Sequence, residues 1–303
     1  MKKVANRIYL ISPEQAPVYP YSNSLWIDDD KSTIIDFGAG ISAYKDIDKE
    51  RVVYGLFSHA HFDHMHCNTL FTNAKFMAAE DELLVYSKEN AYEKFFGYDV
   101  WNKIMPEYIP RPSFGAIRPA NNNEVSISPG FRYIEIARPL RDNDIISTGH
   151  TNIHAIHLPG HSIGHFGFYF EKENILFSGD LDLVSSGPLY NNSTSNIGSL
   201  ISSINRIRDI NPSIIISSHR RIQNSNIQLK LERYIKVVLE REEFLYNYLS
   251  VPRSTNDLYS LSFWKIKDVY DVFWNRMTIN NHLRYMLEKK IIISLNDGYF
   301  IRI

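Results

Sequence analysis

Three histidines and an aspartate fall within six residues in His59-Ala60-His61-Phe62-Asp63-His64. Such a density of polar donors does not pack as a core. Imidazole nitrogens and carboxylate oxygens are ligands for zinc and similar borderline metals, so the chemistry on offer is metal binding. Three further residues of these types stand apart in the chain. His161 sits past a Pro-Gly turn in Leu158-Pro159-Gly160-His161-Ser162-Ile163-Gly164-His165, Asp180 closes Phe177-Ser178-Gly179-Asp180, and His219 closes Ile214-Ile215-Ile216-Ser217-Ser218-His219. An exposed polar loop with a chance histidine accounts for any one of these, but hardly for all four together.

Each donor follows an apolar run that reads as a buried strand: Val52 to Phe57, Ile175 to Phe177 and Ile214 to Ile216, with Pro159-Gly160 stopping another. Residues at strand ends sit on a rigid scaffold yet face a loop, a usual position for chemistry. His59 and His61, two apart, share one side of an extended end, while Asp63 and His64 lie beyond the bend. Upstream, Arg7 to Ile11, Ser24 to Ile27 and Ser32 to Phe37 read as strands, with Asp28-Asp29-Asp30-Lys31 as a hairpin turn. From about Ala79 to Tyr108 the pattern becomes helical and rich in aromatics, including Tyr86, Tyr92, Phe95, Phe96, Tyr98 and Trp101. Arg111-Pro112-Ser113 and Asn121-Asn122-Asn123 break it into loops.

The HxHxDH stretch, followed by Pro-Gly-His, Ser-Gly-Asp and a late strand-terminal His, resembles the metallo-β-lactamase superfamily and its dinuclear hydrolases over roughly the first 225 residues. The resemblance implies an α/β (α+β) fold, a four-layer αββα sandwich with the metals at one edge. It also implies ligand roles. His59, His61 and His161 would hold one metal, Asp63, His64 and His219 the second, and Asp180 would bridge both. Asp36, in Ile34-Ile35-Asp36-Phe37-Gly38, matches an early aspartate that supports the ligands from behind. The cofactors expected are two divalent ions, zinc first, with iron or manganese as alternatives. His161 follows His59 by 102 positions (161 − 59), more than compact members carry, so about 75–120 is read as an insertion beside the site. Two readings of it stand open: an aromatic lid over the metals, or aromatic packing against the sandwich.

The stretch after Asp180 resembles a poorly characterised branch in which an Asp-Leu and a Gly-Pro-aromatic-Tyr loop follow the bridging aspartate. Asp182 and Tyr190 are therefore candidates to bind a substrate oxygen or to satisfy buried backbone, the latter expected of both. His66 and Cys67, where relatives carry small residues, could crowd or tune the site. Arg220, followed by Arg221, would favour an anionic group if it faces the metals.

A chain of 303 residues accommodates one large domain, 1–225, and a smaller one, 226–303. A 44% hydrophobic and 22% charged composition is that of a globular chain, and a net charge of −1 argues against a generally basic nucleic-acid binder. One cysteine excludes intramolecular disulfides and fits a reducing cytoplasm. The N-terminus has no sustained apolar run, so neither a signal peptide nor a membrane span is expected. Gln228 to Ser250 reads as a helix ended by Pro252. Thr278 can cap a short helix, and Asn296-Asp297-Gly298 marks a hairpin between Ile291-Ile292-Ile293 and Tyr299-Phe300-Ile301. This order resembles the winged-helix module appended to some lactamase-like hydrolases, including a branch of endoribonucleases. From Val251 onward eight Lys/Arg face five Asp/Glu, a difference of +3. That footprint is thin for nucleic acid, and packing or homodimerisation is the role expected of the tail.

The expected chemistry is hydrolysis by a hydroxide that two metals share, with Asp63 orienting it and accepting its proton. The substrate expected is a small-molecule thioester, ester, lactone or amide. A nuclease or phosphodiesterase is the alternative. Iron-dependent redox chemistry is disfavoured, because mononuclear iron relatives use only part of this ligand set.

Overall fold

The computed structural model describes residues 1–120, 123–125, 128–295 and 298–303. Short apolar runs pair into two large sheets. The first has seven strands in chain order: β1 (Lys2–Ala5), β2 (Ile8–Ile11), β3 (Ser24–Ile27), β4 (Ser32–Ile35), β5 (Val52–Leu56), β6 (Lys75–Ala79) and β7 (Arg138–Leu140). β1 to β4 form an antiparallel meander, and β4 to β7 run parallel. The second contains β8 (Ile145–Ser147), β9 (Asn152–His157), β10 (Phe166–Phe170), β11 (Ile175–Phe177) and β12 (Ile214–Ile216), in the spatial order β12-β11-β10-β9-β8. Only β11 and β12 pair in parallel there.

The short helices α1 (Leu83–Ser87), α2 (Glu89–Phe96), α3 (Trp101–Ile104) and α4 (Phe114–Ile117) follow β6. α5 (Ile197–Ile210) precedes β12, and α6 (Ile227–Tyr248), α7 (Thr255–Tyr259) and α8 (Val269–Glu288) complete the helices. A last three-stranded sheet orders β13 (Arg253–Ser254), β15 (Tyr299–Arg302) and β14 (Ile292–Ser294) as β13-β15-β14.

Alternation along the strands divides the core. Ile8, Leu25, Ile35 and Leu56 of the first sheet meet Ile153, Phe168, Phe177 and Ile216 of the second, closing the space between them. The other face of the first sheet, with Ile34 and Ala78, packs under Trp101, Phe95, Tyr98 and, from α8, Tyr270, Phe273 and Met277. The other face of the second sheet packs Ile156, Leu176 and Ile215 under α5 and α6 through Leu200, Ile204, Leu231 and Tyr234. The result is the αββα order of layers that the resemblance implies. α6 shares this core with α5 even though it opens the tail in sequence.

Two expectations change. The helical stretch from Ala79 to Tyr108 is not continuous: Gly97 takes φ +76° at the end of α2, and Pro106 follows α3. Thr278 does not cap a helix but lies buried inside α8, whose cap is Asp268, accepting from Tyr270 N and Asp271 N. α8 hides this start because buried polar residues, Asp271, Asn275 and Asn281, interrupt its apolar stripe. The strands flanking Asn296-Asp297 pair as β14 and β15, but those two residues, like Asn121 and Asn122, lie outside the described residues. Among the described residues, no helix is long and apolar enough to cross a membrane.

Candidate metal centre

Strand ends deliver the predicted donors to one edge of the sandwich. β5 leads into His59 and His61, the 3-10 turn Phe62–His64 carries Asp63 and His64, β9 leads to His161, β11 to Asp180 and β12 to His219. Two groups result, His59/His61/His161/Asp180 and Asp63/His64/His219, with the donor atoms of each mutually within 4.8 Å. His161 Nε2 lies 3.2 Å from His59 Nε2 and 3.1 Å from His61 Nδ1. Bonds of about 2.0–2.1 Å around a tetrahedral zinc put neighbouring ligand atoms about 3.3 Å apart, and His161 stands at about that spacing from each of the other two nitrogens.

Asp180 faces both groups. Its Oδ2 lies 3.7 Å from His59 Nε2 and 3.4 Å from His161 Nε2. Its Oδ1 lies 3.0 Å from His64 Nε2 and 3.3 Å from His219 Nε2. Asp63 Oδ2 stands 3.4 Å from the same His219 nitrogen. His64 Nε2 and Asp180 Oδ1 are buried facing each other at 3.0 Å, out of line for a regular hydrogen bond, and neither has another hydrogen-bond partner among the described residues. Orphaned buried polar atoms are costly, and here they point into a cluster of metal donors. The donor set fits two cations.

The other ring nitrogens are occupied from behind, which fixes the orientation of each donor. Asp36 Oδ2 accepts from His64 Nδ1 at 2.7 Å, while its carboxylate also accepts from the Ser58 amide and hydroxyl. Ser58 Oγ lies 3.0 Å from His59 Nδ1. His161 Nδ1 donates to Leu189 O and His219 Nδ1 to Pro17 O, and His61 Nε2 lies 3.4 Å from Asn192 Nδ2. Asp182 Oδ1 accepts from the His219 amide, and burial raises its pKa.

Charge differs between the two groups. Burial, then the His64 and His61 rings, push the pKa of His59 well below its ordinary value, and burial with His161 does the same to His61. Both are neutral and present lone pairs. Burial also opposes a charged His64, but Asp180, Asp36 and Asp63 overcome it and hold its pKa well above the ordinary value. The same contest, with Asp180 the leading carboxylate, raises His219 to about 9. Burial would neutralise Asp180, yet His64, His219 and His59 keep its pKa well below the carboxylate range. Protons on His64 and His219 balance the carboxylates, and bound cations would replace them.

Sequence reasoning missed three supports. His165 accepts from the Asp180 amide through Nε2 at 3.0 Å and donates Nδ1 to Leu158 O, with burial pushing its pKa down to about 3. Gly179 (φ +55°) admits it, since a Cβ there would lie 2.4 Å from His165 Nε2. Asn23 donates its side-chain amide to Ser217 O and Arg220 O, steadying the loop of His219. Glu82 is buried against the loops of His59 and His161. His165 stands in a motif whose spacing marks it; Asn23 and Glu82 carry no local signal.

Other candidates fall elsewhere. Tyr190 does not face the donors. It is buried, and its hydroxyl meets His282 Nε2 and Arg241 Nη1, each at 3.0 Å, because α8 and α6 close over that loop. Arg220 is exposed beside His219, with Nη1 on the His219 carbonyl at 2.6 Å. His66 is turned away, stacked on Phe62 and directed at Gly38 O, and Cys67 is buried beside it. The aromatic segment does reach the site: Phe96 stacks on His61 at 5.4 Å and Phe95 meets it edge-on at 5.7 Å.

A family model described as the metallo-beta-lactamase superfamily matches residues 19–219. A metallo-beta-lactamase family protein of Thermus thermophilus superposes with a TM-score of 0.75 at 19% identity, covering 99% of this chain and 100% of that one. A beta-lactamase-like protein 2 homolog of Drosophila melanogaster is 28% identical over 155 residues, 50% of this chain and 51% of its own. An atrochrysone carboxyl ACP thioesterase of Pseudocercospora fijiensis is 27% identical over 104 residues, 34% of this chain and 30% of its own. The matches thus span about half or less of these curated relatives' lengths.

Proposed function

Because this chain belongs to the metallo-beta-lactamase superfamily, we infer that it is a dinuclear metal-dependent hydrolase of a small acyl compound: a thioester, ester, lactone or amide. The observation that carries the reading is the split of the Asp180 carboxylate, one oxygen toward His59 and His161 and the other toward His64 and His219. His59, His61 and His161 would hold one divalent ion, and Asp63, His64 and His219 the other. Zinc suits this imidazole and carboxylate set, and iron or manganese would use the same donors. When bound, two such ions supply an acidified water and a Lewis acid for the substrate oxygen.

The residues do the rest. Asp63, a largely buried carboxylate beside His219, would orient the attacking water and take up its proton. With a cation in place of the Nε2 proton, Asp36 would hold His64 through Nδ1. Phe95 and Phe96 pack on His61, with Tyr92 behind Phe96, and the partly exposed Phe96 would offer an acyl arm an apolar contact. Similarity to an acyl-carrier thioesterase supports a thioester among the acyl substrates. A nucleic-acid substrate draws less support. β13, α7, α8 and the β14–β15 pair follow a winged-helix order, but α8, the helix such a module would offer to a groove, is buried against α3 and the site loops. Packing within a cytoplasmic monomer or homodimer is the role we assign the tail.

The test is a panel. Thioesters, lactones and p-nitrophenyl esters, run beside bis-p-nitrophenyl phosphate and single-stranded RNA on metal-replete protein, should show turnover for an acyl substrate. Turnover confined to the phosphodiesters would transfer the assignment to the nuclease class, and a strongly coloured, redox-active iron protein would point away from hydrolysis.

A further inference from the structure

We propose that Glu82 is a positioning residue for the three-histidine half of the metal centre, one carboxylate that ties together the two loops delivering His59, His61 and His161. The inference rests on the metal reading above. Glu82 follows β6 at the start of the aromatic segment and is fully buried. Its Oε2 accepts from the Ala60 amide at 2.8 Å, between His59 and His61. Its Oε1 accepts from Ser162 Oγ at 2.5 Å and from the Gly164 amide at 3.0 Å, in the loop just past His161. β5 and β9 belong to different sheets, so no ladder sets the separation of their loops; a backbone bond from Phe166 N to Ser58 O at 2.8 Å joins them at one point, and Glu82 adds three more. The carboxylate spans that gap, with no cation among its hydrogen-bond partners.

Gly164 supplies an independent observation. A Cβ there would lie 2.7 Å from Glu82 Cγ and 2.8 Å from its Cδ, so the loop is shaped to let the carboxylate approach. Burial raises the pKa of Glu82 to about 7, and the hydrogen bonds from Ser162, Gly164 and Ala60 work against that rise, so the three donors are what favour a carboxylate at this place. Here the geometry sets ligand convergence, because His161 Nε2 stands 3.1–3.2 Å from both partner nitrogens only while the two loops stay in register. The second group has supports of its own, Asp36 behind His64 and Asp182 behind His219, and takes no donor from the His161 loop, so it shares with Glu82 only the loop after β5.

Glu82→Gln tests this sharply. An amide can offer its oxygen to Ser162 and Gly164, but its NH2 then faces the Ala60 N–H, donor against donor. Cobalt(II) affinity is measured by chelator competition, with the visible absorption band as the coordination signature, in two backgrounds: His219→Ala, which leaves the three-histidine group, and His161→Ala, which leaves the other. Glu82→Gln should weaken cobalt about 10–100-fold in the first background and on the order of threefold or less in the second, the range known for outer partners of metal ligands. An equal loss in both backgrounds, or none in the first, would overturn the proposal. Should Glu82→Gln lack a folded near-UV circular dichroism spectrum, Ser162→Ala decides: selective weakening of the three-histidine group supports the proposal and unchanged affinity refutes it. An unmutated protein that takes up no cobalt would instead refute the metal reading, and this inference with it.

Discussion

At the scale of the residue, the centre turns on Asp180, whose two oxygens address different groups of donors. Removing it takes a ligand from both and leaves the cationic tendency of His64 and His219 unbalanced, since Asp180 is the leading carboxylate acting on each. Asp180→Ala should therefore bind at most one ion per chain, measured by elemental analysis after gel filtration. It should lose acyl hydrolysis by about 10²–10³-fold or more, the scale of deleting one electrostatic group from a transition state. Full activity in a metal-replete Asp180→Ala protein would sink the dinuclear reading. The donors themselves were legible because each follows an apolar strand, and strand ends on one edge of a sandwich converge. Their supports were not. Glu82, Asn23 and Ser58 act through which loops meet, a matter of tertiary register that no local pattern carries. Tyr190, ten positions past Asp180, is turned by α8 toward His282 for the same reason.

At the scale of the element, the hairpin turn Asp28-Asp29-Asp30-Lys31 was readable from composition, but not its second task. Asp29 Oδ2 accepts from Thr148 Oγ1 and from the His150 and Thr151 amides, so the β3–β4 turn of one sheet clasps the β8–β9 turn of the other. Burial works against its charge, but the hydrogen bonds from Thr148, Asp30, Thr151 and His150 lower its pKa to about 2. An aspartate depressed on folding contributes stability that is fully present above its unfolded pKa and is lost as pH falls through its folded value. Asp29→Asn, which retains one acceptor and turns donors toward donors, should cost about 2 kcal/mol at neutral pH. In urea titrations the gap from the unmutated protein should hold above about pH 5 and narrow between about pH 4 and pH 2, the window between the two pKa values. A gap independent of pH would show that the charge of Asp29 is not what clasps the sheets. The helices were less legible than the strands: α2 and α3 are cut by Gly97 and Pro106, and α8 is buried on several sides, so its polar residues blur the stripe that would mark its start.

At the scale of the whole molecule, the tail is packed into the sandwich and into the loops of the site. The first half of α8 puts Tyr270, Phe273 and Met277 into the core that covers the first sheet, against Trp101, Tyr98 and Phe114. Its second half secures the loop after Asp180: Asn281 Nδ2 donates to Tyr190 O and Asn192 O, and Arg284 to Ser195 O. That loop in turn bonds to the aromatic segment through Ser193 on Phe95 O, and Phe95 meets His61. A continuous chain of contacts thus runs from the tail to a metal donor, through residues that no pair of sequence motifs would connect. A chain ended after Leu249 would lose three large buried anchors, each contributing about 1.5–3 kcal/mol. For a domain of this size that corresponds to a melting temperature lower by about 10 °C or more. The truncated protein should therefore melt early, bind a hydrophobic dye and take up less than two ions per chain, even though every donor residue remains in it. A truncated chain that melts cooperatively within about 3 °C of the full one and retains both ions would show instead that the sandwich holds its site alone, and that α8 merely lies against it.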